Sequence, residues 1–79
     1  MKAKVIITLK NGVLDPQGKA IEGALTSLGF SGVDNVRQGK FIELDIAAES
    51  ADEAQATVEA MCEKLLSNTV IENYRVEVE

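Results

Sequence analysis

A chain of 79 residues, 46% of them hydrophobic, has room for one small domain spanning 1–79 and is too apolar for disorder. Its formal net charge of −5 comes with no basic stripe, which argues against nucleic acid or an anionic membrane surface as partner. There is no histidine and one cysteine, which removes the commonest general acid/base and metal ligand, every His-activated nucleophile and any internal disulfide. A reducing, cytoplasmic setting is expected. A core this small is marginal alone and commonly leans on oligomerisation.

The chain opens on a strand-like run, Ala3 to Lys10. Ala3, Val5, Ile7 and Leu9 share one face, and Lys4, Ile6, Thr8 and Lys10 the other. At six or seven residues it is too short for the apolar core of a signal peptide or for a membrane span. Asn11-Gly12 marks a turn, and Asp15-Pro16 marks a helix start, with Asp15 as cap and Pro16 where a missing N–H costs nothing. Ala20, Ile21, Ala24, Leu25 and Leu28 follow at helical spacing, and Gly29 is placed to end the helix with Phe30 folding back.

From Val33 to Ala47 the pattern is strand-like, broken at Gln38-Gly39. It reads either as a hairpin or as one long strand with a bulge at Gly39, the second being favoured because Val33 to Arg37 is weakly hydrophobic. Ser50 and Glu53 form a capping box for a second helix running to about Leu66. Ala54, Val58, Met61, Cys62 and Leu65 form its apolar stripe, with Glu59 and Glu63 outside. Val70 to Glu79 is the last strand. The predicted fold class is α+β in the order β-α-β(β)-α-β: a small antiparallel sheet of three long or four shorter strands, two helices on one face, related to ferredoxin-like folds. The other face carries Ile6, Phe41 and Val36, and a second copy is expected on that face or on an edge strand.

No catalytic, cofactor-binding or metal-ligating set is expected. Gly39-Lys40 resembles the tail of a phosphate loop, but Asp34 and Phe41 stand where glycine and Ser or Thr are needed. Glu43 and Asp45 share a strand face, as solvent-facing carboxylates routinely do. Cys62 reads as a buried structural thiol. The positive residues Lys10, Arg37, Lys40 and Arg75 stand out in an acidic chain, and the segment Asn11 to Gly18 exposes Val13 and Leu14 beside a turn.

Four blocks resemble the PurS family. They are Lys10-Asn11-Gly12-Val13-Leu14-Asp15-Pro16-Gln17-Gly18 (K-x-G-V-x-D-P-x-G), Val36 to Lys40 (V-R-x-G-K), Cys62 to Asn68 (C-x-K-L-L-x-N) and Val70 to Tyr74 (V-I-E-x-Y). Thr69 stands where the family usually has proline. The resemblance implies a non-catalytic subunit of phosphoribosylformylglycinamidine synthase, an ATP- and glutamine-dependent ligase of purine biosynthesis. In that complex a PurL-type synthetase uses ATP and Mg, a PurQ-type glutaminase supplies ammonia, and the small subunit dimerises, or forms a higher even oligomer, and bridges the two. On this reading Lys10, Gly12, Val13, Leu14, Asp15, Arg37, Gly39 and Lys40 contact the synthetase. Without the resemblance, a small ferredoxin-like regulatory ligand-binding module is the alternative.

Overall fold

A computed structural model describes all residues from Met1 to Glu79. Strand β1 (Lys2–Leu9) is followed by helix α1 (Pro16–Ser27), strand β2 (Gly39–Asp45), helix α2 (Ala51–Met61) with a π-helical last turn (Cys62–Leu66), and strand β3 (Glu72–Val78). The sheet is antiparallel throughout, in the order β2-β1-β3. The most β-branched segment therefore lies in the middle, where both edges of its backbone are paired. Val5 stands opposite Ile42 on one side and Val76 on the other, and Ala3 opposite Leu44 and Val78. These residues share the inner face.

Helix α2 lies on that face. Ala54, Val58 and Cys62 are fully buried, the last two packing with Ala3, Val5, Ile7 and Val76. Its start is a capping box with a shifted return bond: Glu53 N–H donates to Ser50 Oγ at 3.1 Å, while the Glu53 carboxylate accepts from the amide of Glu49, also at 3.1 Å. The stripe expected from a regular helix changes phase at its end. In the π turn Ser67 N–H reaches Cys62 O, and the wider turn brings Leu66 onto the core instead of Leu65. Leu65 and Met61 are exposed.

Three strands, two helices and antiparallel pairing agree with the sequence reading; two features differ. The segment Val33 to Gln38 is neither hairpin strand nor the front of a bent strand. Gly32 and Asn35 have positive φ, +79° and +54°, which breaks an extended run, and β2 starts at Gly39. Gly39 is not a bulge: it stands opposite Thr8 in an unbroken one-to-one ladder, and a Cβ there would collide with the carbonyl oxygen of Ile7 on β1. Nor do both helices cover the sheet. Only α2 packs on it, against β1 and β3; α1 barely touches any strand. The molecule is accordingly long, 50 × 25 × 15 Å.

Candidate functional site

The eight residues singled out in the sequence meet at one corner of the molecule, where β1 hands over to α1 and the chain re-enters the sheet at β2. Asp15 is the centre of this corner. It caps α1 through Oδ1, which accepts from Gly18 N–H at 2.9 Å, and its other oxygen accepts from Gln38 N–H at 2.9 Å. Arg37 Nε stands 3.7 Å from the same carboxylate. Asp15 is almost buried, and these amide donors, Gln38 first and Gly18 next, hold its carboxyl below the usual carboxylate range with Arg37 adding to the effect.

Arg37 ties down the turn after β1. Its guanidinium donates to the carbonyl oxygens of Leu9 and Lys10 and to Asn11 Oδ1. The first turn of α1 also lies close on the return segment: a Cβ on Gly18 would strike the carbonyl oxygen of Val36. One turn on, Glu22 accepts from the Val36 amide at 3.3 Å. The turn itself bends at Gly12, φ +87°, and Val13 N–H closes it onto Lys10 O at 3.1 Å. Thus Asp15, Arg37, Gly12 and Gly39 build the corner from inside.

Other residues of the set face out. Leu14 is 74% exposed and Val13 partly so. Lys40 is itself exposed, and its Nζ stands 3.5 Å from the largely covered carboxylate of Glu72 on β3. Two shallow hollows, about 290 and 370 Å³, flank Asp15. Arg75 is not brought here; it sits mid-way along β3 on the outer face, beside Glu77. Glu43 is paired with Lys2 across the strands at 3.4 Å. No group of three or more Cys, Asp or Glu side chains is placed to hold a metal ion. Burial, with the carboxylates of Glu59 and Glu63, pushes the Cys62 thiol up, which suits a core filler.

One surface escaped the sequence reading. Helix α1 carries its whole apolar stripe unpacked: Ile21 and Ala24 are exposed, Leu25 is half-buried, and Leu28 and Phe30 lie at its open tip. Its end is well formed, with Gly29 at φ +95° and the amides of Gly29 and Phe30 bonded back to Thr26 O and Leu25 O. A stable helix with a bare apolar stripe is a contact surface.

Comparison with known proteins follows the same outline. A family model described as PurS, phosphoribosylformylglycinamidine (FGAM) synthase, matches residues 2–79. The phosphoribosylformylglycinamidine synthase subunit PurS of Bacillus subtilis is 53% identical over 78 residues, covering 99% of this chain and 92% of that protein. The PurS subunit of Methanocaldococcus jannaschii is 46% identical over 99% of this chain and 94% of its own length. The crystal structure of M. jannaschii PurS, one of the subunits of formylglycinamide ribonucleotide amidotransferase in the purine biosynthetic pathway, superposes with a TM-score of 0.88 over 99% of this chain and 94% of that one. A chain from the structure of PurLQS of Thermotoga maritima is 36% identical, with a TM-score of 0.88 over 96% of this chain and 93% of that one.

Proposed function

This chain belongs to the PurS family of phosphoribosylformylglycinamidine synthase subunits, and on that premise we propose that it is the non-catalytic assembly subunit of such a synthase. It joins a PurL-type synthetase to a PurQ-type glutaminase, associates with itself, and supports passage of ammonia between their sites in purine biosynthesis. ATP, Mg and glutamine are handled by the partner subunits. The observation that carries this reading is the end-to-end likeness to a chain of the T. maritima PurLQS structure. The absence of any histidine and the buried, raised thiol of Cys62 support it from the chemical side.

Within the corner the eight residues divide into two roles. Asp15, Arg37, Gly12 and Gly39 hold the corner's shape, while Val13, Leu14, Lys10 and Lys40 face the synthetase. Leu14 is the sharpest candidate, because a large apolar side chain held out on a tied-down turn has no internal work to do.

Reconstitution tests both levels. Purified synthetase and glutaminase chains should show glutamine-dependent formation of formylglycinamidine ribonucleotide only when this chain is added. Equal activity without it would overturn the assignment. Leu14→Asp should stay folded and lose most of this rescue; full rescue by that variant would remove the corner from the synthetase contact.

A further inference from the structure

The chain carries 8 Lys and Arg against 13 Asp and Glu, and most of its cations have an acid at hand. Lys2, Lys4, Lys19, Arg37, Lys40 and Arg75 each stand within 3.9 Å of a carboxylate. The remaining two are Lys10 and Lys64. Lys64 is exposed on the π turn, where water serves it. Lys10 is half-buried. It lines a polar hollow of about 320 Å³ with Glu63, Thr69, Glu72, Asn73 and Tyr74. Both acids of this hollow are engaged elsewhere. Glu63 accepts from Tyr74 Oη at 2.9 Å, while Glu72 accepts from Asn68 N–H at 2.6 Å and pairs with Lys40 at 3.5 Å. Lys10 is thus the one half-buried cation that an acidic chain leaves without a counter-charge.

The rim of the hollow is the turn that leads into β3, and Asn68 holds its shape. Asn68 O accepts from the amides of Ile71 and Glu72 at 3.0 and 2.7 Å, and Asn68 Oδ1 accepts from Val70 N–H at 3.2 Å. Lys10 N–H donates to Ile71 O at 2.8 Å, which joins this turn to the turn after β1. In spite of these ties Val70 is 80% exposed. An apolar side chain held out on a fixed backbone loses little freedom when a partner covers it. Leu14 has the same character on the other side of Lys10. The two turns together form one end of the sheet, with an apolar projection on each and a free cation between them in sequence and bonding.

We infer that the Asn68–Ile71 turn and the hollow at Lys10 are a second part of the synthetase contact, in which Lys10 pairs with a carboxylate side chain of that subunit and Val70 enters an apolar hollow beside it. The occupant is the synthetase because the two turns share a backbone hydrogen bond, so a subunit seated on Leu14 continues onto this rim. Its carboxylate follows from the charge on Lys10 and the lack of any acid within the chain to meet it. The inference rests on the synthetase reading of the corner, and adds to it a segment and a chemistry.

The test titrates the full-length chain into mixed synthetase and glutaminase chains and reads the concentration that gives half-maximal glutamine-dependent synthesis. Val70→Asp and Lys10→Glu should each raise that concentration roughly tenfold or more, and Val70→Ala should raise it less. Lys10→Met should weaken the titration at low salt and match the parent at high salt, as the loss of one ion pair requires. Photo-crosslinking p-benzoylphenylalanine placed at position 70 should capture the synthetase. Capture of the glutaminase or of a second copy instead would overturn the inference, as would titrations by Val70→Asp and Lys10→Glu that match the parent's. A Lys10→Met deficit of equal size at both salt levels would remove the partner carboxylate. A parent chain that restores no synthesis loses the proposed function itself. A parent that restores it, and is weakened by Leu14→Asp but by neither change at Lys10 and Val70, loses this inference alone.

Discussion

Asp15 and Arg37 combine a cap, a pair of backbone bonds and an ion pair at a single point, so the corner responds to acid. The Asp15 carboxyl is depressed in the folded chain, by the Gln38 amide first and by Gly18 and Arg37 after it. A group depressed by folding contributes stability above its unfolded value, about 3.9 for aspartate, and loses it as pH falls through the folded value. Asp15→Asn keeps a competent cap but neither titrates nor pairs with Arg37. Its melting temperature should therefore be lower than the parent's at neutral pH, and the gap should close as pH falls below the unfolded value of about 3.9 and through the folded one. Thermal melts across that range check it; a constant gap would remove Asp15 from the acid response. Two of the three glycines of the family pattern are explained at the same scale. Gly18 and Gly39 each stand where a side chain would meet a carbonyl oxygen, of Val36 and Ile7 respectively. Their presence was legible in the sequence, but the reason was not, because each obstacle comes from a residue distant along the chain.

At the scale of elements, local rules read well and their continuation read poorly. The Asp15 and Ser50 caps, the Gly29 ending and the inner face of β1 all follow from short-range chemistry, and all are found. Leu65 was assigned to the core by extending a 3.6-residue period through a turn that is wider than that. The two leucines at this turn should therefore behave differently. Leu66→Ala removes a half-buried side chain from the core and should cost roughly 1–2 kcal/mol at any protein concentration. Leu65→Ala leaves the core intact, and its effect should appear only as weaker self-association. Urea denaturation at two protein concentrations separates these outcomes, and equal, concentration-independent losses would contradict the placement of Leu65 outside the core. Val33 to Gln38 misled for a related reason. Val33 and Val36 stand three residues apart and so would not share one strand face, and Gly32 and Asn35 take left-handed conformations that end any extended run.

For the whole molecule, the apolar stripe of α1 was legible and its destination was not. Periodicity says that a helix buries a face; it does not say against which sheet, or in which copy. The expected pair of helices over one sheet is met in count, while the second place is left open within a single chain. Stability should accordingly depend on mass action. The melting midpoint should rise with protein concentration, as it does when folding is coupled to association. A midpoint independent of concentration would count against self-association through the bare stripe of α1.

The corner also sets a mechanical relation between distant parts. Helix α1 has 12 residues and is thus roughly 18 Å long. Pivoted at Asp15, a tilt of about 10° carries its tip by about 3 Å, more than half the ~5.4 Å pitch of a helix. Leu28 and Phe30, at the far end of this lever, amplify any slack at Arg37 or Gly18. The angle held at the fulcrum thus sets where the bare apolar stripe is presented, and residues outside that stripe govern its position.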